Sequence, residues 1–142
     1  MTGVTGPTGP TVTMNNLMAN NLSNNPQTVP VGGIIQLPDT PHLSGTAISN
    51  SNGTITLAAN QQYYVDYRTN ATSPSGIGVA AALYLDGTYI PMTNSLAEGG
   101  SLATLSGSAI ISTTQSSRLT LRNPTGVTAS YGSTAVNVIK LA

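Results

Sequence analysis

The sequence predicts an all-β protein that folds as a sandwich, a jelly roll or a barrel. About eight to ten short runs of strand-forming residues are separated by turn residues at regular spacing. The clearest run, residues 62–70, alternates between two faces. The residues on one face are Tyr63, Val65, Tyr67 and Thr69. Residues 77–89 predict a β-hairpin, because Asp86-Gly87 tolerates the positive φ angles of a type I′ turn.

The first arm of this hairpin, residues 77–85, is apolar on both faces. The bulky face carries Ile77, Val79, Ala81, Leu83 and Leu85, and the small face carries Gly78, Ala80, Ala82 and Tyr84. A half-exposed strand would place charged or hydroxyl side chains on its outer face. We therefore expect this arm to be covered on both sides, by a second sheet or by a neighbouring chain.

Residues 1–11 are interpreted as a collagen-like stalk, because residues 3–11 are three consecutive G-x-y triplets with Gly3, Gly6 and Gly9. A collagen helix needs glycine at every third position, because only glycine fits at its crowded axis. A Gly/Pro-rich linker is the alternative interpretation. If the stretch is collagen-like, the domain that follows must be trimeric, because three triplets cannot hold three chains together alone.

Residues 12–30 are interpreted as a connector, followed by one trimerising domain at residues 31–142. Met14, Leu17, Met18 and Leu22 have helical spacing, but the surrounding asparagines are poor helix formers. Two interpretations of residues 12–25 remain open, a short helical turn and an irregular connector. Pro26 and Pro30 then keep the chain extended.

The remaining pattern divides into strands and turns. Besides the runs above, strands are predicted at residues 33–37, 54–57, 102–113, 117–122 and 135–141. The strand at 102–113 has a possible bulge near Gly107, and Pro91 ends the second arm of the hairpin. Turns are predicted at residues 38–42, 51–53, 73–76, 98–100 and 123–126.

The composition excludes several classes of function. Charged residues make up 6% of the chain and the formal net charge is zero, so the basic surface of a nucleic-acid-binding protein is absent. No apolar run is long enough to span a membrane, and there is no cysteine. Without a signal peptide at its start, we expect the sequence to be a mature chain or a fragment. Its surface, rich in Thr, Ser, Asn and Gly, favours an extracellular location.

We expect no catalytic site, no metal site and no cofactor. Asp39, His42 and Ser44 superficially suggest a triad, but they lie in a Pro-rich turn without a nucleophile elbow. The four carboxylates are scattered, and none of them has calcium-loop spacing. The three N-glycosylation patterns, at Asn21, Asn52 and Asn70, are expected by chance in a chain so rich in Asn and Thr.

Several motifs together resemble the collagen-like spore surface glycoproteins of Bacillus, the BclA-like family. They are GPTGPT at 6–11, GTITLAANQQYYVDYRTNAT at 53–72, LTLRNPTG at 119–126 and VNVIKLA at 136–142. More broadly, the chain is similar to the trimeric jelly-roll superfamily of tumour necrosis factor and the complement heads. The resemblance implies a compact jelly-roll homotrimer at the tip of a collagen-like filament on a bacterial spore, in its exosporium or on an appendage. It also implies threonine glycosylation in the triplets and contact with other exosporium proteins.

The resemblance further implies which residues lie between subunits. In that superfamily, the sheet holding the first, last, Y-x-V-x-Y and L-x-L strands faces the threefold axis. Carried over, this places six residues at or near the trimer interface: Tyr64, Asp66, Arg68, Arg118, Thr120 and Arg122. Asp66 would then pair with an arginine, within or between chains. The alternative is that these residues form a solvated face.

Two functions follow from this interpretation. The first is a structural homotrimer that nucleates the collagen stalk and caps a filament on the spore surface. The alternative is a receptor- or glycan-binding tip, such as an adhesin or fibre head, built on the same trimer. In that case Tyr84, Tyr89 and Tyr131 are predicted to offer stacking surfaces for host or surface glycans.

Overall fold

The computed structural model describes residues 3, 6, 14–22, 25–73, 76–98 and 102–142. Apart from Gly3 and Gly6, the predicted collagen-like stretch lies outside the described residues, as do parts of the turns predicted at 73–76 and 98–100. The described part contains twelve strands and one 3-10 turn, Pro91–Thr93. The strands are β1 (Asn16–Asn21), β2 (Gln27–Val29), β3 (Asp39–Ser44), β4 (Ile48–Ser51), β5 (Thr54–Leu57), β6 (Gln62–Thr72), β7 (Val79–Leu85), β8 (Thr88–Tyr89), β9 (Ser95–Ala97), β10 (Ala103–Ser112), β11 (Ser117–Arg122) and β12 (Ala129–Lys140).

The strands form two antiparallel sheets that pack face to face. The first sheet has the order β10-β6-β12-β1-β3, and β2 also pairs with β12. The second sheet has the order β4-β5-β11-β7-β8, and β9 also pairs with β7. The first and last strands of the described chain are therefore neighbours within one sheet. This arrangement is a jelly-roll sandwich, so the predicted fold class is confirmed.

Three buried tyrosines fill the core of a chain that has no Phe or Trp: Tyr63, Tyr67 and Tyr131. Buried hydroxyl groups need hydrogen-bond partners. The hydroxyl of Tyr67 lies 2.6 Å from the carbonyl oxygen of Thr93 and 2.8 Å from that of Ala81, and the hydroxyl of Tyr131 lies 2.5 Å from the carbonyl oxygen of Ala80. Both tyrosines belong to the first sheet, whereas Ala80 and Ala81 belong to β7 of the second. The two hydroxyl groups thus connect the sheets at adjacent residues of one strand.

These tyrosines predict that the domain loses stability at high pH. Burial raises the pKa of both Tyr67 and Tyr131 far above the ordinary value of 10.0. Above pH 10 the unfolded chain releases both protons while the folded chain keeps them, so the free energy of unfolding falls as pH rises. Each residue contributes up to about 1.4 kcal/mol per pH unit. Urea unfolding at several pH values between 9 and about 12 measures this slope.

A Tyr67→Phe variant is the control for that measurement. It removes one of the three core tyrosines whose pKa burial raises, since Tyr63 also has a raised pKa, so the slope above pH 10 should fall by about a third to a half. The variant should also lose about 1 kcal/mol of stability at neutral pH, because a carbonyl group in the core loses its donor. A free energy of unfolding that is constant up to pH 12 would contradict the assignment of these hydroxyls to the core.

The prediction for residues 12–30 was wrong, because this stretch supplies two strands rather than a connector. Asn16–Asn21 forms β1, which pairs with β12 on one side and β3 on the other. Leu17 and Ala19 point into the core, whereas Met18 is 38% exposed. The helical spacing of Met14, Leu17, Met18 and Leu22 conceals this period-2 pattern. Helix propensity here is low, and tertiary pairing decides the structure.

The next two predicted elements also differ from the structure. Residues 33–37, predicted as a strand, make only an isolated bridge between Ile34 and Arg122. Of the turn predicted at residues 38–42, residues 39–42 belong instead to β3, an edge strand of the first sheet. Its Pro41 is tolerated there because an edge strand needs donors on only one side. The turn-like composition of β3 reflects its exposure rather than a change of chain direction.

The predicted hairpin is present, and Asp86 and Gly87 have the positive φ angles of 49° and 79°. The inner face of β7 is buried as predicted, although Ile77 precedes the strand and is 71% exposed. The small face is covered as well, since Ala80 and Ala82 are both buried. They are buried within a single chain, so a neighbouring subunit is not needed to cover this strand.

The bulge predicted near Gly107 is absent, because β10 pairs with β6 in continuous register from Ala103 to Ser112. Gly107 has a different role. A Cβ atom there would lie 2.6 Å from the carbonyl oxygen of Thr93 and 2.8 Å from the ring of Tyr67. Glycine is therefore required by the close approach of the 3-10 turn and the core tyrosine to this strand.

Candidate functional site

The six residues predicted for the subunit interface lie on two different faces of the sandwich. Tyr64, Asp66 and Arg68 are on β6 of the first sheet, whereas Arg118, Thr120 and Arg122 are on β11 of the second. The placement of the L-x-L strand in the same sheet as the Y-x-V-x-Y strand was therefore wrong. Alternation identifies the outward residues of a strand, but it carries no information about which strands pair.

The outward side of the first sheet, here called the first outer face, is built from cross-strand rows. One row contains Ser44, Asn16, Ile139, Tyr64 and Ile110 on five successive strands. The next row contains His42, Met18, Asn137, Asp66 and Ser108. Ile110 is 62% exposed and Ile139 is 46% exposed, on either side of Tyr64. Large apolar side chains therefore form a band across β12, β6 and β10 of this face.

Polar side chains on the first outer face bond to one another beside that band. Asn137 donates through Nδ2 to Oδ1 of Asp66 at 2.9 Å, so the partner of Asp66 within one chain is an amide. Nε2 of His42 lies 2.6 Å from Oδ1 of Asn16. Ser44 donates to the carbonyl oxygen of Met14. The hydrogen bonds of His42 and Ser44 thus lead to other residues, and these side chains do not form a triad.

The outward side of the second sheet carries a different set of side chains, here called the arginine–tyrosine strip. It consists of Arg118, Thr120 and Arg122 on β11, Tyr84 on β7 and Tyr89 on β8. The guanidinium carbon of Arg122 lies 5.3 Å from the centre of the Tyr84 ring. The rings of Tyr84 and Tyr89 are 5.6 Å apart and tilted by 55°. These contacts join cation and aromatic rings in one continuous surface.

Two further contacts fix the polar part of the strip. Arg122 donates through Nε to the hydroxyl oxygen of Thr120 at 2.9 Å. At the hairpin turn, Oδ1 of Asp86 accepts a hydrogen bond from the backbone N–H of Arg118 at 2.8 Å. That hydrogen bond is the main reason why the pKa of Asp86 is lowered. Asp86 therefore stays ionised at the end of the strip.

One of the three tyrosines proposed for stacking is not available for it. Tyr131 is fully buried, and its ring belongs to the core. Tyr84 is half-buried and Tyr89 is 39% exposed. A signal for this difference was present in the sequence. Tyr131 alternates with Ala129 on the inward side of one strand, whereas Tyr84 and Tyr89 flank the hairpin turn.

Within the described residues, no three acidic or histidine side chains are grouped so that they could hold a metal ion. The same residues include no helix that is long and apolar enough to cross a membrane. Every buried side-chain nitrogen or oxygen of this part of the chain has a hydrogen-bond partner. The buried polar side chains of the described residues are thus satisfied within the chain.

No family model matches the sequence, and no curated protein matches it. Solved structures do share the fold. The Eiger TNF of S. frugiperda is 13% identical and superimposes with a TM-score of 0.73 over 92% of this chain and 94% of its own. The globular domain of zebrafish complement 1qA is 9% identical, with a TM-score of 0.68 over 87% and 94%. Murine APRIL is 9% identical, with a TM-score of 0.72 over 90% and 99%. At these identities the likeness shows a TNF- and C1q-like jelly roll and nothing finer.

Proposed function

We propose that this chain is a non-enzymatic, extracellular head domain that assembles as a homotrimer through the first outer face. The observation that carries the proposal is the apolar band of Ile139, Tyr64 and Ile110, with Met18 in the next row. Soluble proteins rarely leave contiguous apolar patches of this kind uncovered unless they mark an interface. The second sheet instead presents mainly hydroxyl, arginine and tyrosine side chains outward, which suit a solvated face.

The N-terminal triplets support a threefold assembly rather than a dimer. A collagen helix takes three chains, and the strand that follows the triplets, β1, lies within the first sheet. The N–H of Lys140 donates to the carbonyl oxygen of Asn15, so the chain enters the sandwich at the end where it also leaves it. Three stalk strands would thus enter side by side if the first outer faces meet, and the head would nucleate the triple helix.

The spore surface is the location that we propose, in the exosporium or on an appendage. The support is the order of the motifs shared with the BclA-like family and the neutral, hydroxyl-rich composition of the chain. In this role the trimer caps a filament and contacts neighbouring surface proteins. An antibody raised against the domain should label intact spores of the source bacterium, and labelling confined to the spore interior would exclude this location.

The oligomeric state tests the central proposal. Native mass spectrometry and light scattering of the whole chain should give the mass of three subunits at micromolar concentration. The interface of a stable assembly buries roughly 800 Å² on each partner. A stable monomer would refute the proposal.

A receptor- or glycan-binding tip is the second candidate function, and the arginine–tyrosine strip favours it. The strip lies on the opposite side of the sandwich from the first outer face. It would stay accessible when three first outer faces meet. Binding and trimerisation are thus compatible within the same molecule.

A further inference from the structure

We propose that the arginine–tyrosine strip is a binding site for an acidic saccharide, a sugar that carries one carboxylate. The carboxylate lies between Arg118 and Arg122, and the neighbouring sugar ring packs on Tyr89. This proposal rests on the second candidate function, since it names the ligand class of such a tip. It does not depend on the trimer, because all five residues of the strip belong to one chain.

The distribution of positive charge is the first argument. The whole chain has four basic residues, and two of them, Arg118 and Arg122, are on the outward side of one strand. They border the same hollow, whose volume is about 580 Å³ and whose wall includes three hydroxyl side chains, Thr54, Ser116 and Thr120. Arginine and hydroxyl donors together are the groups that bind carboxylates in proteins.

The local charge favours a monoanion over a polyanion. Asp86 is ionised and also borders the hollow, so the two arginines and this carboxylate give a local charge of one positive unit. A phosphate chain or a nucleic acid would need a much more extended positive field. Because Asp86 is fixed to the backbone of Arg118, it repels an anion at the turn end and leaves the region beside Thr120 and Arg122 for it.

Arg122 is held in position before any ligand arrives. Its cross-strand neighbour on β7 is Ala82, whose small side chain leaves room for the guanidinium to lie over the ring of Tyr84. Its Nε–H is bonded to Thr120, and its Nη1 lies 3.5 Å from the carbonyl oxygen of Gly32. Guanidinium has five N–H groups, so other donors remain for a ligand. A fixed guanidinium loses less conformational freedom on binding.

The aromatic end of the strip supplies the second half of the site. A cleft of about 380 Å³ is lined by Tyr84, Tyr89, Leu96 and Pro124, with the amide of Asn94 and the hydroxyl of Thr125 at its wall. Apolar surface with a few polar groups is typical of small-ligand sites, and the C–H face of a sugar ring packs well on a tyrosine. From β11 to β8 the sheet spans two strand spacings, about 10 Å, which is the length of a disaccharide.

An NMR titration of the whole 15N-labelled chain tests the proposal, with 3′-sialyllactose as the probe. Lactose is the neutral control and sodium sulfate is the control for an adventitious ion. At about 10 mM probe, sialyllactose should shift the amides of Thr120, Arg122 and Tyr89, while lactose should bind at least tenfold more weakly. Sulfate that shifts the same amides with equal affinity would reduce the site to an ion contact and overturn the proposal.

Two substitutions that each remove one positive charge make the test specific. Arg122→Gln should weaken sialyllactose binding by about tenfold or more, because a charge-assisted pair is lost. Lys140→Gln, on the first sheet, should leave the affinity unchanged. Well-dispersed spectra will show that both variants are folded. If sialyllactose and lactose bind equally to the original chain and to Arg122→Gln, a glycan-binding function stands but the acidic class is wrong. If no sugar binds, both are wrong.

Discussion

Leu83→Asp is expected to abolish folding of the domain. Leu83 is fully buried on the inner face of β7, the strand to which the core tyrosines of the first sheet are bonded. Losing the buried leucine costs about 2–3 kcal/mol in transfer free energy. Placing a carboxylate in the same space costs several kcal/mol more, and the total is comparable with the whole stability of a typical domain, about 5–15 kcal/mol.

Circular dichroism and the solubility of the expressed chain measure this effect. The matched control is Ile77→Asp, which makes the same kind of change six positions earlier at a residue that is 71% exposed. The control should fold, with a change in stability of about 0.5 kcal/mol or less. A soluble, cooperatively unfolding Leu83→Asp variant would mean that the inner face of β7 is misassigned.

The strands with clear alternation were predictable from the sequence. Tyr63, Val65 and Tyr67 line the core as the pattern of residues 62–70 indicates, and Asp86-Gly87 forms the turn that its chemistry requires. In both places the local preference, strand alternation or turn chemistry, agrees with the tertiary structure. The turn at residues 51–53 follows the same logic, with Asn52 at a φ of 48°.

Elements whose structure depends on a distant partner were not predictable. β1 is Asn-rich and β3 contains Pro41, yet both are strands because β12 and β1 offer them unpaired backbone groups. The pairing of residues more than a hundred positions apart leaves no trace in a window of ten residues. The L-x-L strand was placed in the wrong sheet by the resemblance, and local alternation could not correct this, because alternation does not show which strands pair.

The candidate surfaces were only partly predictable for the same reason. Tyr64, Asp66 and Arg68 could be assigned outward from their own strand. Ile110 could not, because it is followed by Ile111 and the two adjacent isoleucines do not show which one points inward. The band that joins Ile110 to Ile139 exists only through cross-strand register, which the sequence does not display.

A double variant, Ile110→Asp with Ile139→Asp, is expected to convert the proposed trimer into a folded monomer. Ile110 is 62% exposed and Ile139 is 46% exposed, so burying the rest of each side chain is worth about 1–2 kcal/mol if the first outer faces meet. Three subunits each lose two such side chains and gain two negative charges near the axis, where like charges repel. A change of the dissociation constant from micromolar to millimolar corresponds to about 4 kcal/mol of association free energy. The combined loss of apolar burial and gain of repulsion exceeds this value.

The separation of assembly from folding is what makes this variant informative. Both side chains are exposed in the single chain, so the monomer should keep its fold and most of its stability. Met92→Asp is the control, since Met92 is 77% exposed, more than either isoleucine, but lies on the 3-10 turn, away from the first outer face. Light scattering should give three subunits for this control and one for the double variant. A double variant that stays trimeric would move the interface to another face, and the second sheet, with its arginines and tyrosines, would then be the next surface to test.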